Sequence, residues 1–311
     1  MNLQRLIEQY VSFQRSLGLS FITSAGVLRA FGRARGPRAR VANVRVGHVN
    51  AFLGRTRPVT RTWFLKLGCL RSFFQYAVSR GYITTAPLPT ATPKHPPLFV
   101  PYIYTREELR RLFQEIKSHR QGTSTLEPAT IHTMILVYYG AGLRLREATN
   151  LIRTDVDLSR SLLTIRNTKF GKTRLVPVGP QLSRALVQYD LSRPRRRPAD
   201  AHFFTTTLGR RVNTRTLQKT FRILCDRAGI RRNDTGEQPR IHDLRHAFAV
   251  HRLISWYQQG ADVQRLLHQL SVYLGHLRLW HTQVYLSMTP ELLREASQRF
   301  ERYAEKERRH A

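Results

Sequence analysis

This sequence predicts a mainly α-helical protein with a small antiparallel β-sheet, built as two domains, and three observations carry that expectation. Apolar residues recur at three- and four-residue spacing over long stretches in both halves of the chain. Only one short region, residues 162–178, shows two runs of strand formers around a Gly-containing turn. Between residues 85 and 101 six prolines break either kind of element. A helical domain over 1–86, a linker over 87–104, a larger domain over 105–288 and a tail over 289–311 follow, and 311 residues are enough for two cores.

Leu3, Leu6, Ile7, Tyr10 and Val11 share one helical face and open the chain with an amphipathic helix, punctuated by Gly18. Residues 24–31 read as a second helix, running into Gly32-Arg33-Ala34-Arg35-Gly36-Pro37-Arg38-Ala39-Arg40, a basic loop too polar and too broken for a core. Residues 49–53 suggest a short helix. Residues 62–80 carry Phe64, Leu65, Leu67, Leu70, Phe73, Phe74, Ala77 and Val78, a stripe expected in the core. Past the linker, Thr105 caps a helix and Glu108, three residues on, completes a capping box.

Residues 129–141 are apolar enough to form a central helix, and its end sets Arg144 at a turn. Residues 162–165 and 174–178 read as strands joined around Phe170-Gly171-Lys172. Residues 193–197, interleaved with Pro194 and Pro198, suggest a surface loop whose arginines, Arg195 and Arg196 among them, touch phosphate. Residues 214–228 form a helix with Leu217, Phe221, Leu224 and Cys225 inward. Finally, Thr289 and Pro290 suit the start of a helix carrying Leu292, Leu293, Ala296, Phe300 and Tyr303 on one face. Such a stripe needs a groove, on its own domain or on a neighbouring copy.

A net charge of +32 points to a polyanionic partner, nucleic acid before membrane. Only seven of the 52 basic residues are lysine, which genome composition can favour, but such bias would not remove acids. Residues 1–100 hold 15 basic residues and a single acid, Glu8. Arg33, Arg35, Arg38 and Arg40 are therefore candidate phosphate contacts. Cys69 and Cys225 are far apart in apolar company, as small core residues of a reducing, cytoplasmic compartment would be. No apolar run is long enough to cross a bilayer, and neither metal-ligand spacing nor clustered carboxylates suggest a metal or cofactor.

The chemistry concentrates in residues 242–285, which hold His242-Asp243-Leu244-Arg245-His246, Leu274-Gly275-His276 and, nine residues later, Tyr285. A phosphodiester under attack gains charge on its non-bridging oxygens, and a metal-free site has to meet that charge with fixed donors. Arginine suits this best, because its guanidinium stays protonated and can bond two oxygens. His242 and Arg245, three apart, face the same way on one helical turn. Gly275 can end a helix and let backbone crowd a ligand. A tyrosine oxygen is a poor nucleophile near its free pKa of about 10, and cationic neighbours favour its phenolate. Arg146 is expected in solvent, Glu147 as an orienting group, and His246, His251 and His281 as structural or solvent-facing.

These segments resemble the catalytic domain of the tyrosine recombinases, or phage-type integrases. Gly142-Leu143-Arg144-Leu145-Arg146-Glu147 is similar to the segment carrying the family's first arginine, and Thr168-Lys169-Phe170-Gly171-Lys172-Thr173-Arg174-Leu175-Val176-Pro177 to its lysine hairpin. The His-x-x-Arg, Gly-His and tyrosine follow in the family's order. The 31 positions from Arg245 to His276 exceed those of compact chromosome-resolving members and resemble transposon-borne ones.

The resemblance implies an all-helical DNA-clamping domain before the catalytic one. It implies Tyr285 as nucleophile, Arg144, Arg245, His242 and His276 on the phosphoryl oxygens, Lys169 as general acid and Lys172 as a backbone binder. It also implies duplex DNA at specific recombination sites, a tetrameric synapse of protomers, and action in the bacterial cytoplasm at the nucleoid, without cofactor. Type IB topoisomerases share the chemistry, and a silent DNA-binding accessory would share the fold.

Overall fold

The computed structural model describes residues 1–54, 59–96, 99–119, 125–166, 173–194, 197–233, 238–276, 278–287 and 290–310. Two compact units, Met1–Leu98 and Phe99–Ala311, each close around their own core.

The first unit is helical among the described residues: α1 (Leu3–Ser16), α2 (Ile22–Arg35), α3 (Val46–Leu53) and α4 (Arg61–Ser79). Asn2 caps α1 through its side-chain oxygen, and the expected face of Leu3, Leu6, Ile7, Tyr10 and Val11 is buried. On α4, Leu67, Leu70, Phe73, Phe74 and Ala77 enter the core, but Leu65 is 46% exposed. A helix buries only an arc, and the 62–80 stripe was drawn wider than that arc.

The basic segment departs from the expected loose loop. The helix α2 continues to Arg35, and Gly32 sits under Ile7, whose Cδ1 would lie 3.1 Å from an added Cβ. The chain then returns along the N-terminus, with Leu3 N donating to Ala39 O at 2.8 Å and Val41 N to Met1 O at 3.1 Å. Arg33, Arg38 and Arg40 are exposed while Arg35 is half-buried. Glu8 is already engaged by a two-pronged bond from Arg29 at 2.7–2.8 Å. The unit has no other carboxylate to neutralise this face.

The second unit begins at α5 (Arg106–Ser118), whose capping box forms as expected between Thr105 and Glu108. The helix α6 (Pro128–Gly140) runs through the core, followed by α7 (Leu145–Asn150). A three-stranded antiparallel sheet follows, with β1 (Val156–Asp157), β2 (Leu162–Ile165) and β3 (Arg174–Pro177) in that order, Ile165 opposite Arg174. The two-residue β1 was not foreseen, being too short to show alternation. Then come α8 (Pro180–Leu191), α9 (Thr214–Arg227), α10 (Asp243–Gln258), α11 (Val263–Leu274), α12 (Trp280–Gln283) and α13 (Pro290–His310). No helix of the described residues is long and apolar enough to cross a membrane.

Two expectations about the flanks change. Arg193 is inside, bonded to Glu127 at 2.5 Å and to Thr130 at 3.1 Å, and Arg197 pairs with Asp190 at 2.5 Å. The ends of the 193–197 segment are thus tied to the fold, and Arg195 and Arg196 lie outside the described residues. Of the C-terminal stripe, Leu292 is buried against this chain's own α10 region and Gln258 donates to Glu295 at 3.1 Å, whereas Leu293 is exposed and Phe300 is 72% exposed. Thr289 and the Tyr303 side chain lie outside the described residues.

Gly142 is the tightest backbone position, at φ +59°, where a Cβ would stand 2.7 Å from Phe248 and 2.8 Å from Leu274. Gly142→Ala combines a left-handed backbone with a clash against two core side chains, each costing roughly 1–3 kcal/mol. The expected loss of unfolding free energy is about 2–4 kcal/mol. Denaturant unfolding of the full chain reads it directly, and an unchanged midpoint would contradict this packing.

Candidate active site

Arg245 is the largest fully buried side chain, at 2% exposed. Its guanidinium donates at 2.6 Å to Gly142 O, just beyond α6, and at 2.6 Å to Leu274 O, the last residue of α11. Both oxygens belong to helix ends, where free carbonyls and the macrodipole concentrate negative potential. Burial, and then the nearby Arg144, lower its pKa to about 10, so the cation persists at neutral pH.

Arg144 precedes α7 and donates to Glu147 at 2.8 Å and to Gly275 O at 2.8 Å. Glu147 also accepts from the Arg144 backbone N–H, which closes the first turn of α7. Arg174, the first residue of β3, grips the same carboxylate with two bonds at 2.8–2.9 Å and donates to Tyr273 O at 3.0 Å. Burial would raise the Glu147 pKa, but Arg174 and Arg144 more than offset this and hold it at about 2. Glu147 therefore orients neighbours, as expected, and Arg146 is exposed. Arg174 was missed, since a residue paired to a distant carboxylate leaves no periodic signal.

Gly275 ends α11 in the left-handed region at φ +66°, with an added Cβ 2.9 Å from Arg174, so it both stops the helix and admits the guanidinium. His276 follows, its Nδ1 2.7 Å from the hydroxyl of the fully buried Thr282. Its ring centroid is 6.1 Å from that of Tyr285.

Tyr285, on a 3₁₀ turn over Val284–Ser287, is only 3% exposed. Its hydroxyl lies 3.1 Å from Nδ1 of His246, on α10. The cationic neighbours act in the expected direction, toward the phenolate, but burial is the larger effect. Burial raises the Tyr285 pKa above its usual value, with Arg245 and Arg144 only partly reversing the shift. His246, set aside in the sequence as structural, thus lies against the Tyr285 hydroxyl, which Arg245 also bonds. Its position one helical turn beyond His242 was a usable signal.

His242, at the start of α10, is solvent-exposed while Arg245 is buried, so the two do not share a face as fully as their spacing suggests. The His242 and His246 rings are 5.1 Å apart. The structure brings together Arg144, Arg245, His242, His276 and Tyr285, with Glu147, Arg174 and His246 added. Lys169 and Lys172 lie outside the described residues. Among the described residues no group of three His, Cys, Asp or Glu could hold a metal ion.

Residues 103–291 match the phage integrase family. The chain belongs to that family. An integrase/recombinase of Sinorhizobium fredii, y4rB, is 38% identical over 77% of this chain and 78% of its own length. Among solved structures, the Tn1549 transposon integrase in complex with a circular intermediate DNA superposes with a TM-score of 0.69 at 16% identity, covering 96% of this chain and 99% of that one. A lambda integrase tetramer bound to a Holliday junction gives 0.68 at 16% identity, covering 92% and 77%. At these identities the two structures speak to the fold, which this phage integrase family member shares over nearly its whole length.

Two histidines of the site make acid stability a test of its packing. Burial, then nearby Arg245, lower His246 to about 4 and His276 to about 3. A folded pKa below the unfolded value of about 6.5 means that acid favours the unfolded chain. Their contribution is complete above about pH 6.5 and is lost as pH falls toward 4 and then 3. Unfolding free energy of the His246→Gln/His276→Gln variant should decline less between pH 6.5 and 4 than that of the native protein. Parallel curves would show that neither ring is held neutral by burial.

Proposed function

We propose that the protein is a site-specific DNA recombinase that cleaves and rejoins duplex DNA through a 3′-phosphotyrosyl intermediate on Tyr285. The observation that supports this reading most directly is the placing of a buried tyrosine hydroxyl beside the guanidinium cluster of Arg245 and Arg144. Tyr285 attacks phosphorus, the Tyr285 oxygen–phosphorus bond forms and the bond to the 5′-oxygen breaks. Arg144, Arg245, His242 and His276 bear on the non-bridging oxygens, where charge accumulates. Lys169 gives a proton to the departing oxygen and Lys172 holds the DNA backbone. Because the link keeps the energy of the diester, a 5′-hydroxyl of another strand reverses the step.

Residues 1–86 clamp the duplex, 87–104 link, 105–288 catalyse, and 289–311 form the tail. Arg33, Arg38 and Arg40, on an exposed face with no local carboxylate to spare, meet phosphate. The wider setting we assign is movement of a mobile element, by integration, excision or transposition, in a tetrameric synapse at the bacterial nucleoid.

Tyr285→Phe should abolish covalent adducts on nicked duplexes while leaving duplex binding nearly intact, since one hydroxyl is lost from a large cationic interface. A library of randomised nicked duplexes, with the adducts sequenced, would read the cut position and polarity together. Adduct formation by the Phe variant would remove Tyr285 from the role and leave Tyr273 as next candidate. Cleavage should persist in excess chelator, and activity lost with EDTA and restored by Mg²⁺ would point to a metal nuclease.

Binding should weaken steeply with salt. Replacing Arg33, Arg38 and Arg40 by Gln should lower the slope of log affinity against log salt by up to about 3, near 0.9 per phosphate contact. An unchanged slope would leave that face in solvent.

A further inference from the structure

A tyrosine that attacks phosphorus must lose its proton, and in this site the cations alone do not remove it. Tyr285 is 3% exposed, and withdrawal from water opposes formation of the phenolate more than Arg245 and Arg144 favour it. Something within hydrogen-bond reach has to take the proton as the oxygen attacks. Among the described residues two side chains bond the hydroxyl: Arg245, a cation that cannot accept a proton, and His246, with Nδ1 at 3.1 Å. Resting on the assignment of Tyr285 as nucleophile, we infer that His246 is the general base of cleavage, accepting the phenolic proton on Nδ1.

The surroundings suit an imidazole that is uncharged before the reaction. His242 and Arg245 face it from its own helix, Arg240 from just before that helix, His276 from the loop after α11 and Tyr285 from the 3₁₀ turn. Every charged group in this set that acts on it is cationic, so protonation before substrate arrives is disfavoured and Nδ1 keeps a lone pair for the phenol. An incoming phosphate brings the opposite charge and eases protonation during attack. His242, an exposed residue beside Arg245, is left to the phosphoryl oxygens. The turn bearing Tyr285 packs on α10, which carries His246.

The step balances within the chain and its DNA. The O–H bond of Tyr285 breaks, its proton goes to His246 Nδ1, and its electron pair forms the bond to phosphorus. The phosphorus–O5′ bond breaks, and the 5′-oxygen takes a proton from the general acid, for which Lys169 stands. On religation His246 returns its proton to the departing tyrosine oxygen.

The test uses the full-length protein and the nicked duplex recovered most often as a covalent adduct, with single-turnover cleavage followed from pH 6 to 10. His246→Ala should cleave roughly 10²–10³-fold more slowly near pH 7, within the range of general-base effects. The variant should recover tenfold per pH unit as hydroxide replaces the base, and it should be partly restored by added imidazole. Replacing the bridging 5′-oxygen by sulfur, which relieves a missing general acid, should not restore it. In the free protein, ¹⁵N NMR of the imidazole should show His246 protonated on Nε2 with Nδ1 accepting. Native-like cleavage by His246→Ala, a loss that is equal at every pH and untouched by imidazole, an Nδ1–H tautomer, or imidazole rescue of His242→Ala in its place would each overturn the assignment. Adducts formed by Tyr285→Phe would instead strike at the nucleophile on which it rests.

Discussion

The catalytic unit depends on keeping one guanidinium, that of Arg245, charged inside protein. Taking such an ion from water costs several kcal/mol unless hydrogen bonds and opposite potential replace the solvent. Here the replacement is neutral backbone: the carbonyls of Gly142 and Leu274, at the ends of α6 and α11. Carbonyls hold the cation without neutralising it, so it stays available to a phosphate. This requires two helices to end at one place with their free oxygens converging. Gly142 and Gly275, both at positive φ, let the chain turn there without a Cβ in the way.

A second constraint is like-charge repulsion, since Arg144, Arg174 and Arg245 gather in one region. One carboxylate manages two of them. Glu147 takes both prongs of Arg174 and one of Arg144, which leaves Arg144 with a hydrogen bond to Gly275 O beside His276. Because Arg174 begins β3 and Arg144 caps α7, the same carboxylate joins the sheet to the end of α11 and to the arginine turn. Loss of Glu147 would leave two half-buried cations without their carboxylate. In the N-terminal unit the balance is the reverse: Glu8 is spent on Arg29, and an exposed basic face remains for a polyanion.

Much of this was legible in the residues. The helices of both units follow from apolar spacing, the cap at Thr105 from its capping box, and the sheet from the strand formers around residues 170–172. The failures have physical causes. The segment 32–40 reads as loop from its Gly, Pro and Arg content, but α2 extends through Arg35 because Gly32 packs closely on Ile7. Arg193 and Arg197 read as surface cations, yet Glu127, distant in sequence, draws Arg193 inward and Asp190 engages Arg197. Leu65 shares the apolar stripe of α4 without sharing its buried arc.

By itself the sequence determined which residue types stand ready for phosphodiester chemistry, and in what order, because arginine, histidine and tyrosine carry that chemistry wherever they meet. It also determined the charge that calls for a polyanion and the caps and glycines that end the helices. Only the tertiary structure decided which groups share a site. It put Arg174 onto Glu147, left His242 exposed while burying Arg245, and set His246 beside Arg245 against the hydroxyl of Tyr285. It also decided that burial outweighs the cations at that tyrosine. Spacing along a helix tells which side chains are neighbours, whereas desolvation depends on everything that covers them, and that is a property of the folded chain.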